Sequence, residues 1–371
     1  MQNLPIHQII PELCTALEKA PKVVLTAPPG SGKTTIVPLA LIEQSWLAGK
    51  KIVLLEPRRL AARACAQRMA DLLGEQVGET VGYRIRLEHK VTAKTRIEVV
   101  TEGILTRLIQ QDPALEEVGL VIFDEFHERN LQGDLALALT LDVIAGLRDN
   151  LRLLVMSATM DSTAIARLLD DAPVVTGEGR SHPVTIHHLE REPTGSPVQT
   201  AANGVARALV ETQGDILVFL PGVAEIKALE TILREQSPPD ILLCPLYGNL
   251  SKQQQDQAIQ PDSAGRRRII LATSIAETSL TIEGVSTVVD AGLSRYPRFD
   301  PNSGLSRLVT GRVSRAAADQ RAGRAGRLGP GSCYRLWTKA VQSQLAVDSS
   351  PEILDTDLTG LVLELAQWGV S

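Results

Sequence analysis

The run VGLVIFDEFHERN, residues 118–130, passes from apolar residues directly into Asp124, Glu125, His127 and Glu128. A short apolar run bounded by polar residues reads as a buried strand, here one whose end carries two adjacent acids. A second run, TAPPGSGKTTIVPLALI (26–42), reads as a strand ending at Ala27, a glycine turn, and a helix beginning near Thr34. Gly30 and Gly32 allow backbone angles barred to other residues, so that consecutive N–H groups turn inward around phosphate. The helix N-terminus behind them favours the same negative charge. Lys33 can then reach the outer phosphates, and the Thr34 hydroxyl can ligate Mg²⁺. One departure from the usual phosphate-loop pattern is Ala27, which stands where the first glycine is expected. Such a loop needs a strand-end acid for the metal and a group that positions the attacking water. Asp124 would hold Mg²⁺ through water, and Glu125 would orient or deprotonate the nucleophile. A third run, DQRAGRAGRLG (319–329), gathers Gln320, Arg321, Arg324 and Arg327. It is either a solvated basic patch or a source of positive charge for a γ-phosphate, as arginine fingers are in phosphoryl-transfer enzymes.

The elements that must position these residues follow from the alternation of apolar runs with helical patterns. Expected strands are KVVLTA (22–27), KIVLLEP (51–57), RIEVVTE (96–102), LVIFDE (120–125), LRLLVMSAT (151–159) and APVV (172–175). After the polar stretch at 190–200 come DILVFLPG (215–222), DILLCPLYG (240–248), RRIILATS (267–274), VSTVVDAG (285–292) and SCYRLW (332–337). Strands alternating with helices indicate βαβ units and parallel sheets. Two such series predict an α/β protein of two doubly wound domains, joined near residues 176–200. A length of 371 residues agrees, being too long for one ordinary core.

Composition narrows the classes further. Aromatic residues make up 3%, too few for a base-stacking platform to be the main binding device. The net charge of −5 argues against a globally basic nucleic-acid binder but leaves room for a local basic groove. Cys14, Cys65, Cys244 and Cys333 lie far apart without a C-x-x-C pair, which suits neither a zinc site nor a disulfide framework and fits a reducing cytosol. The N-terminus MQNLPIHQIIPEL lacks a basic flank and a signal-like apolar core, and no apolar stretch approaches about 18 residues. The expectation is a soluble cytoplasmic protein without a membrane partner.

Taken together, these motifs resemble those of the superfamily 2 DEAH-box helicases, most closely the bacterial HrpB type. GSGKTT (30–35) is similar to motif I, EPRRLAA (56–62) to motif Ia and VTEGILTR (100–107) to motif Ib. DEFH (124–127) stands for DEAH, SAT (157–159) for motif III and LVFLPG (217–222) for motif IV. ATSIAETSLTIEG (272–284) resembles motif V and QRAGRAGR (320–327) motif VI, all in the family's order. The resemblance implies two tandem RecA-like P-loop domains, over 1–178 and 179–345, with ATP and Mg²⁺ between them and single-stranded nucleic acid across their tops. RNA is placed ahead of DNA by the resemblance alone; protein partners are left undefined.

Residue by residue, Gly30, Ser31, Gly32, Lys33, Thr34 and Thr35 would bind phosphate, and Thr34 and Asp124 the metal. Glu125, Gln320, Arg324, Arg327 and Lys33 would serve catalysis. His127, Ser157 and Thr159 would couple nucleotide state to domain movement. Arg58, Arg59, Thr101, Gly222 and Thr273 would touch the nucleic-acid backbone, contacts that carry little sequence information. Arg68 takes the place of the arginine that stacks on the base, but Ile259 occupies the slot of its aromatic partner, and Glu283 stands for the ribose-binding aspartate. Hydrolysis of several NTPs is therefore expected. Phe126 replaces the alanine of the DEAH pattern, as a packing residue beside the acids.

DPNSGLSRLVTGRVS (300–314) has turn formers at Pro301, Asn302 and Gly304 followed by alternating residues, consistent with a hairpin. The resemblance makes it a wedge for nucleic acid; an ordinary surface hairpin is the alternative. In 346–371, Leu358, Leu361, Val362, Leu365 and Trp368 recur at helical spacing. By resemblance this is the start of a winged-helix region cut short at Ser371; the alternative is a terminal helix docked on the second domain. The function these features imply is an ATP-dependent helicase or translocase. A nucleotide-gated binding module without strand separation is the alternative, though a mere binder needs neither Glu125 nor the arginines.

Overall fold

The computed structural model describes residues 4–158, 162–179, 182–277 and 282–370. The chain divides into two compact units, Met1–Arg180 with Pro351–Ser371, and Ser181–Ser350.

In the first unit the strands are β1 (Lys22–Thr26), β2 (Lys51–Leu55), β3 (Val81–Ile85), β4 (Glu88–Lys90), β5 (Ile97–Val100), β6 (Val118–Phe123), β7 (Arg152–Ser157) and β8 (Val174–Thr176). They form one sheet in the order β4-β3-β5-β2-β6-β7-β1-β8, parallel except where β4 pairs antiparallel with β3. The inner strands are buried along nearly their whole length because helices cover both faces, which is why they read as unbroken Val/Ile/Leu runs. One face packs Val23, Leu25, Ile52, Leu54, Leu120 and Ile122 against the helices Ile10–Lys19, Lys33–Leu41 and Arg59–Leu73. The other packs Val53, Val121, Phe123 and Val155 against the helices Glu102–Gln111 and Leu131–Gly146.

The second unit holds β9 (Val184–Leu189), β10 (Asp215–Phe219), β11 (Leu242–Leu246), β12 (Arg268–Ala272), β13 (Val285–Asp290) and β16 (Gly331–Thr338). These form an all-parallel sheet in the order β11-β12-β10-β13-β16-β9. Between β13 and β16 the chain makes an antiparallel hairpin, β14 (Leu293–Asp300) and β15 (Leu305–Arg312), turning at residues 301–304.

Two details depart from the expected organisation. The connection between domains, expected near residues 176–200, is shorter: β9 lies inside that span and pairs with β16. The helix Thr359–Trp368 packs not on the second unit but on the first, through Leu361, Leu365 and Trp368. Of the expected stripe, Val362 stays 60% and Leu358 39% exposed. Among the described residues no helix is long and apolar enough to cross a membrane, and the four cysteines are free.

Candidate active site

Because the inner strands of the first unit run parallel, their C-terminal ends share one edge of the sheet, the edge at which such sheets bind ligands. That edge carries the loop after β1, Arg58 and Arg59 after β2, Thr101 after β5, Asp124 and Glu125 after β6, and Ser157 at the end of β7. The loop after β1 turns through Gly30 at φ 81° and Gly32 at φ 95°, both in the left-handed region that glycine tolerates. At Gly32 a Cβ would also lie 2.8 Å from Leu4 Cδ1, so that the Leu4 side chain would have to shift. The Ile6 N–H donates to the Ser31 carbonyl at 3.2 Å and clamps the loop from outside, while the buried Ser31 hydroxyl finds no hydrogen-bond partner among the described residues. The helix Lys33–Leu41 follows, with the Thr35 N–H donating to the Gly32 carbonyl at 3.2 Å. Pro38 lies within it and has no N–H for the Thr34 carbonyl, which the Cys65 thiol approaches at 3.7 Å.

Lys33, Thr34, Asp124 and Glu125 meet at this edge. Lys33 Nζ donates to Glu125 Oε1 at 3.0 Å and lies 3.9 Å from Asp124 Oδ1. The Thr34 hydroxyl donates to Asp124 Oδ2, and the Glu125 N–H to Asp124 Oδ1 at 2.8 Å. Burial alone would lower the Lys33 pKa, but Glu125 and Asp124 outweigh it and hold the ammonium above its ordinary value. Burial pushes the Asp124 carboxyl up, against the pull of Lys33. His127 stands 3.5 Å from Glu125 Oε2 through Nε2, and its Nδ1 lies 3.4 Å from the Ala158 N–H. With Nδ1 accepting, a neutral ring carries its proton on Nε2, the nitrogen facing Glu125. Ser157, preceding Ala158, is fully buried; Thr159 lies outside the described residues. Phe126 is buried edge-on to Phe123 at 6.2 Å.

The other residues singled out by sequence in this unit are less enclosed. Arg58 is bound through Nη2 to both Glu128 oxygens at 3.2 Å, on the loop that carries the acids. Arg59 and Arg68 are exposed on the helix Arg59–Leu73, and Thr101 precedes the helix Glu102–Gln111.

In the second unit the segment 320–327 is not a solvated patch. Ser314 caps the helix Arg315–Gly323, which ends in a 3₁₀ turn Arg324–Gly326. Arg321 is fully buried, donating to Asp290 Oδ1 at 2.7 Å and to Glu277, with its guanidinium 4.9 Å from the Phe219 ring centroid. Burial would lower its pKa, but Asp290 and Glu277 raise it well above the ordinary value. Arg324, 4% exposed, donates from Nε to the Glu277 carbonyl at 2.7 Å, while Arg327 and Gln320 are half-buried. Glu277 thus ties motif V to motif VI. Sequence reasoning named neither Glu277 nor Asp290, although Asp290, an acid ending an apolar strand, repeats the pattern of Asp124. Gly222, in extended backbone after β10, lies beneath the Arg295 guanidinium, and Thr273 precedes the 3₁₀ turn Ser274–Ala276. Glu283 is exposed, its carbonyl accepting from Arg268, and Ile259 is half-buried.

Comparison with known proteins places these features in a family. The DEAD/DEAH box helicase family matches over residues 7–168 and the helicase conserved C-terminal domain over 201–329. The ATP-dependent RNA helicase HrpB of Escherichia coli (strain K12) is 54% identical over the whole of this chain, which covers 46% of that protein. A crystal structure of the Escherichia coli DEAH/RHA helicase HrpB superposes with a TM-score of 0.94 at 54% identity, covering 99% of this chain and 47% of the other. A crystal structure of the E. coli DExH-box NTPase HrpB gives a TM-score of 0.88 at the same 54% identity, covering 100% of this chain and 46% of that one. The chain therefore spans about half the length of the relatives it matches. The two family matches fall one in each sheet-centred unit, so the chain is built of two tandem RecA-like domains and belongs to the DEAD/DEAH box helicases.

Proposed function

We propose that this chain is the NTP-hydrolysing core of an ATP-dependent helicase that moves on single-stranded nucleic acid. The observation that carries the proposal is the buried contact of Lys33 and Thr34 with Asp124 and Glu125, a phosphate loop already meeting its acids. The Thr34 hydroxyl and the Asp124 carboxylate are hard oxygen donors of the kind Mg²⁺ takes, and the ion, when bound, would neutralise charge on the phosphates. N–H groups of the glycine turn and the helix start behind it would cradle the phosphates, and Lys33 would exchange Glu125 for phosphate oxygens. That exchange frees the Glu125 carboxylate to orient water and take its proton. His127, bridging Glu125 and the Ala158 N–H, would carry the change of charge to the Ser157–Thr159 segment. The roles of Gln320, Arg324 and Arg327 in stabilising the transition state rest on the family match over 201–329. Arg68 and Glu283 would lie at the base and ribose. Arg58, Arg59, Thr101, Gly222 and Thr273 would follow the nucleic-acid backbone.

The Escherichia coli relative is named an RNA helicase, and on that ground RNA is taken ahead of DNA. The division at residues 178 and 345, with 346–371 as the start of a winged-helix region, is proposed on the resemblance of the motifs alone. Free thiols agree with the cytoplasm. The test is phosphate release from ATP, GTP and CTP in Mg²⁺, with and without poly-RNA and single-stranded DNA. Turnover of all three nucleotides within about a hundredfold in kcat/KM, roughly 2.7 kcal/mol, and stimulated more by RNA than by DNA, is the expected result. Absence of turnover under every condition would refute the proposal.

A further inference from the structure

Beyond β6 the chain makes a tight excursion before the helix Leu131–Gly146. The 3₁₀ turn Phe126–Glu128 is bracketed by two non-glycine residues in the left-handed region, Glu125 at φ 51° and Arg129 at φ 48°. Such conformations persist only where the surroundings over-determine them. Part of the restraint is local. The Arg129 guanidinium clamps both Asp134 oxygens at 3.0–3.3 Å, and the Asn130 side chain accepts from the Gly133 N–H at 2.7 Å.

The rest comes from 221 residues away. The Glu352 N–H donates to the Arg129 carbonyl at 3.0 Å, and Glu352 Oε2 accepts from the Leu131 N–H at 2.8 Å. Leu131 is the first residue of its helix, where an N–H has no intrahelical acceptor. A carboxylate there meets both the orphan donor and the positive end of the helix dipole. The same segment is anchored further on, where Gln110 Nε2 donates to Glu364 Oε2 at 2.5 Å and Trp368 Nε1 to Asp142 Oδ2 at 2.6 Å. The segment therefore sits on the first unit at several points, and at one of them it grips both sides of the turn that follows Glu125.

We propose that Glu352 is a positioning residue for hydrolysis, holding the 125–131 turn so that the Glu125 carboxylate keeps its place beside Lys33. The inference rests on the proposed role of Glu125 and does not require Glu352 to touch nucleotide or water. Misplacing a reacting group by about 1 Å costs on the order of a hundredfold in rate. Glu352→Ala should accordingly lower kcat by about ten- to a hundredfold while leaving KM for ATP within about twofold, since the phosphate loop is untouched. Glu352→Gln, whose amide oxygen can still accept from Leu131, should restore most of the rate. Glu364→Ala, which removes a contact of the same segment far from the turn, should leave kcat as it is. Hydrogen exchange reads the same contact without turnover. The Leu131 amide should be protected in the unaltered chain and exchange at least about tenfold faster in Glu352→Ala.

Glu125→Gln is measured alongside. If it turns over normally the assignment of Glu125 fails, whereas if it is dead and Glu352→Ala keeps wild-type kcat, the positioning role alone fails. Losses in Glu352→Gln and Glu364→Ala as large as that in Glu352→Ala would also overturn the role, by showing general loosening. So would rapid exchange at Leu131 in the unaltered protein, a result that needs no variant to fold.

Discussion

At the scale of single residues, the arrangement around Lys33 shows how one buried cation is balanced by two acids of unequal duty. Asp124 is engaged by Thr34 and by the Glu125 N–H, whereas Glu125 faces Lys33 and His127. A third acid nearby behaves differently. Burial pushes the Glu102 carboxyl from 4.5 up to about 8; its Asn130 hydrogen bond and Arg58 oppose the rise, and Glu128 and Glu352 add to it. Between these two values the folded chain holds a proton that the unfolded chain releases, so the stability contributed by protonated Glu102 is lost as pH climbs from 4.5 through about 8. Glu102→Gln should flatten that decline, raising the Tm of the first unit by about 5 °C near pH 8 and by little near pH 5. A Tm difference independent of pH, followed by calorimetry, would show that Glu102 is ionised in the native state. Lys33, Thr34, Asp124 and Glu125 could be picked out from sequence because each belongs to a short local pattern. Glu102 and Glu352 could not: their surroundings and hydrogen bonds depend on partners that only the fold brings together.

At the scale of elements, the apolar strands and the hairpin were readable for the same reason. Val/Ile/Leu runs mark strands buried on both faces, and Pro301, Asn302 and Gly304 fall in the turn between β14 and β15. Missed were β14, the hairpin's first strand, which precedes the expected span 300–314, β3, interrupted by Gly82 and Arg84, the polar β4, and β9, whose VTIHHL has no continuous apolar run. Their identity is set by pairing rather than by composition. The helix Arg315–Gly323 reads as basic and solvated, yet its Arg321 is an internal anchor. Removing one member of a buried charge network strands the others, which costs about 3–5 kcal/mol, whereas an exposed i,i+4 pair is worth about 0.3–0.5. Asp290→Ala should therefore destabilise the second unit by about 3–5 kcal/mol, while Glu230→Ala, which breaks an exposed helical pair with Arg234, should cost under about 1. Urea midpoints of the two variants check the ranking. Equal midpoints would mean that Arg321 finds other compensation.

At the scale of the whole molecule, each unit carries a different part of the proposed site on the same kind of scaffold. The first holds the phosphate loop and the acids at the carboxyl edge of its sheet; the second fastens its arginines through Glu277 and Asp290. Two units were readable from the repeated strand–helix alternation, but the return of residues 351–370 to the first unit was not, since an apolar stripe does not name the surface it meets. The central claim is that Glu125 activates water while Lys33 and its loop bind nucleotide. It is tested most directly by measuring ATP turnover and ATP affinity of Glu125→Gln beside the unaltered chain, in the presence of poly-RNA. A fall in kcat of at least about a hundredfold, near the ~10²–10⁴ supplied by a positioned general base, with Kd for ATP changed by no more than a few-fold, is the predicted result. Near-normal turnover in the variant would contradict the account.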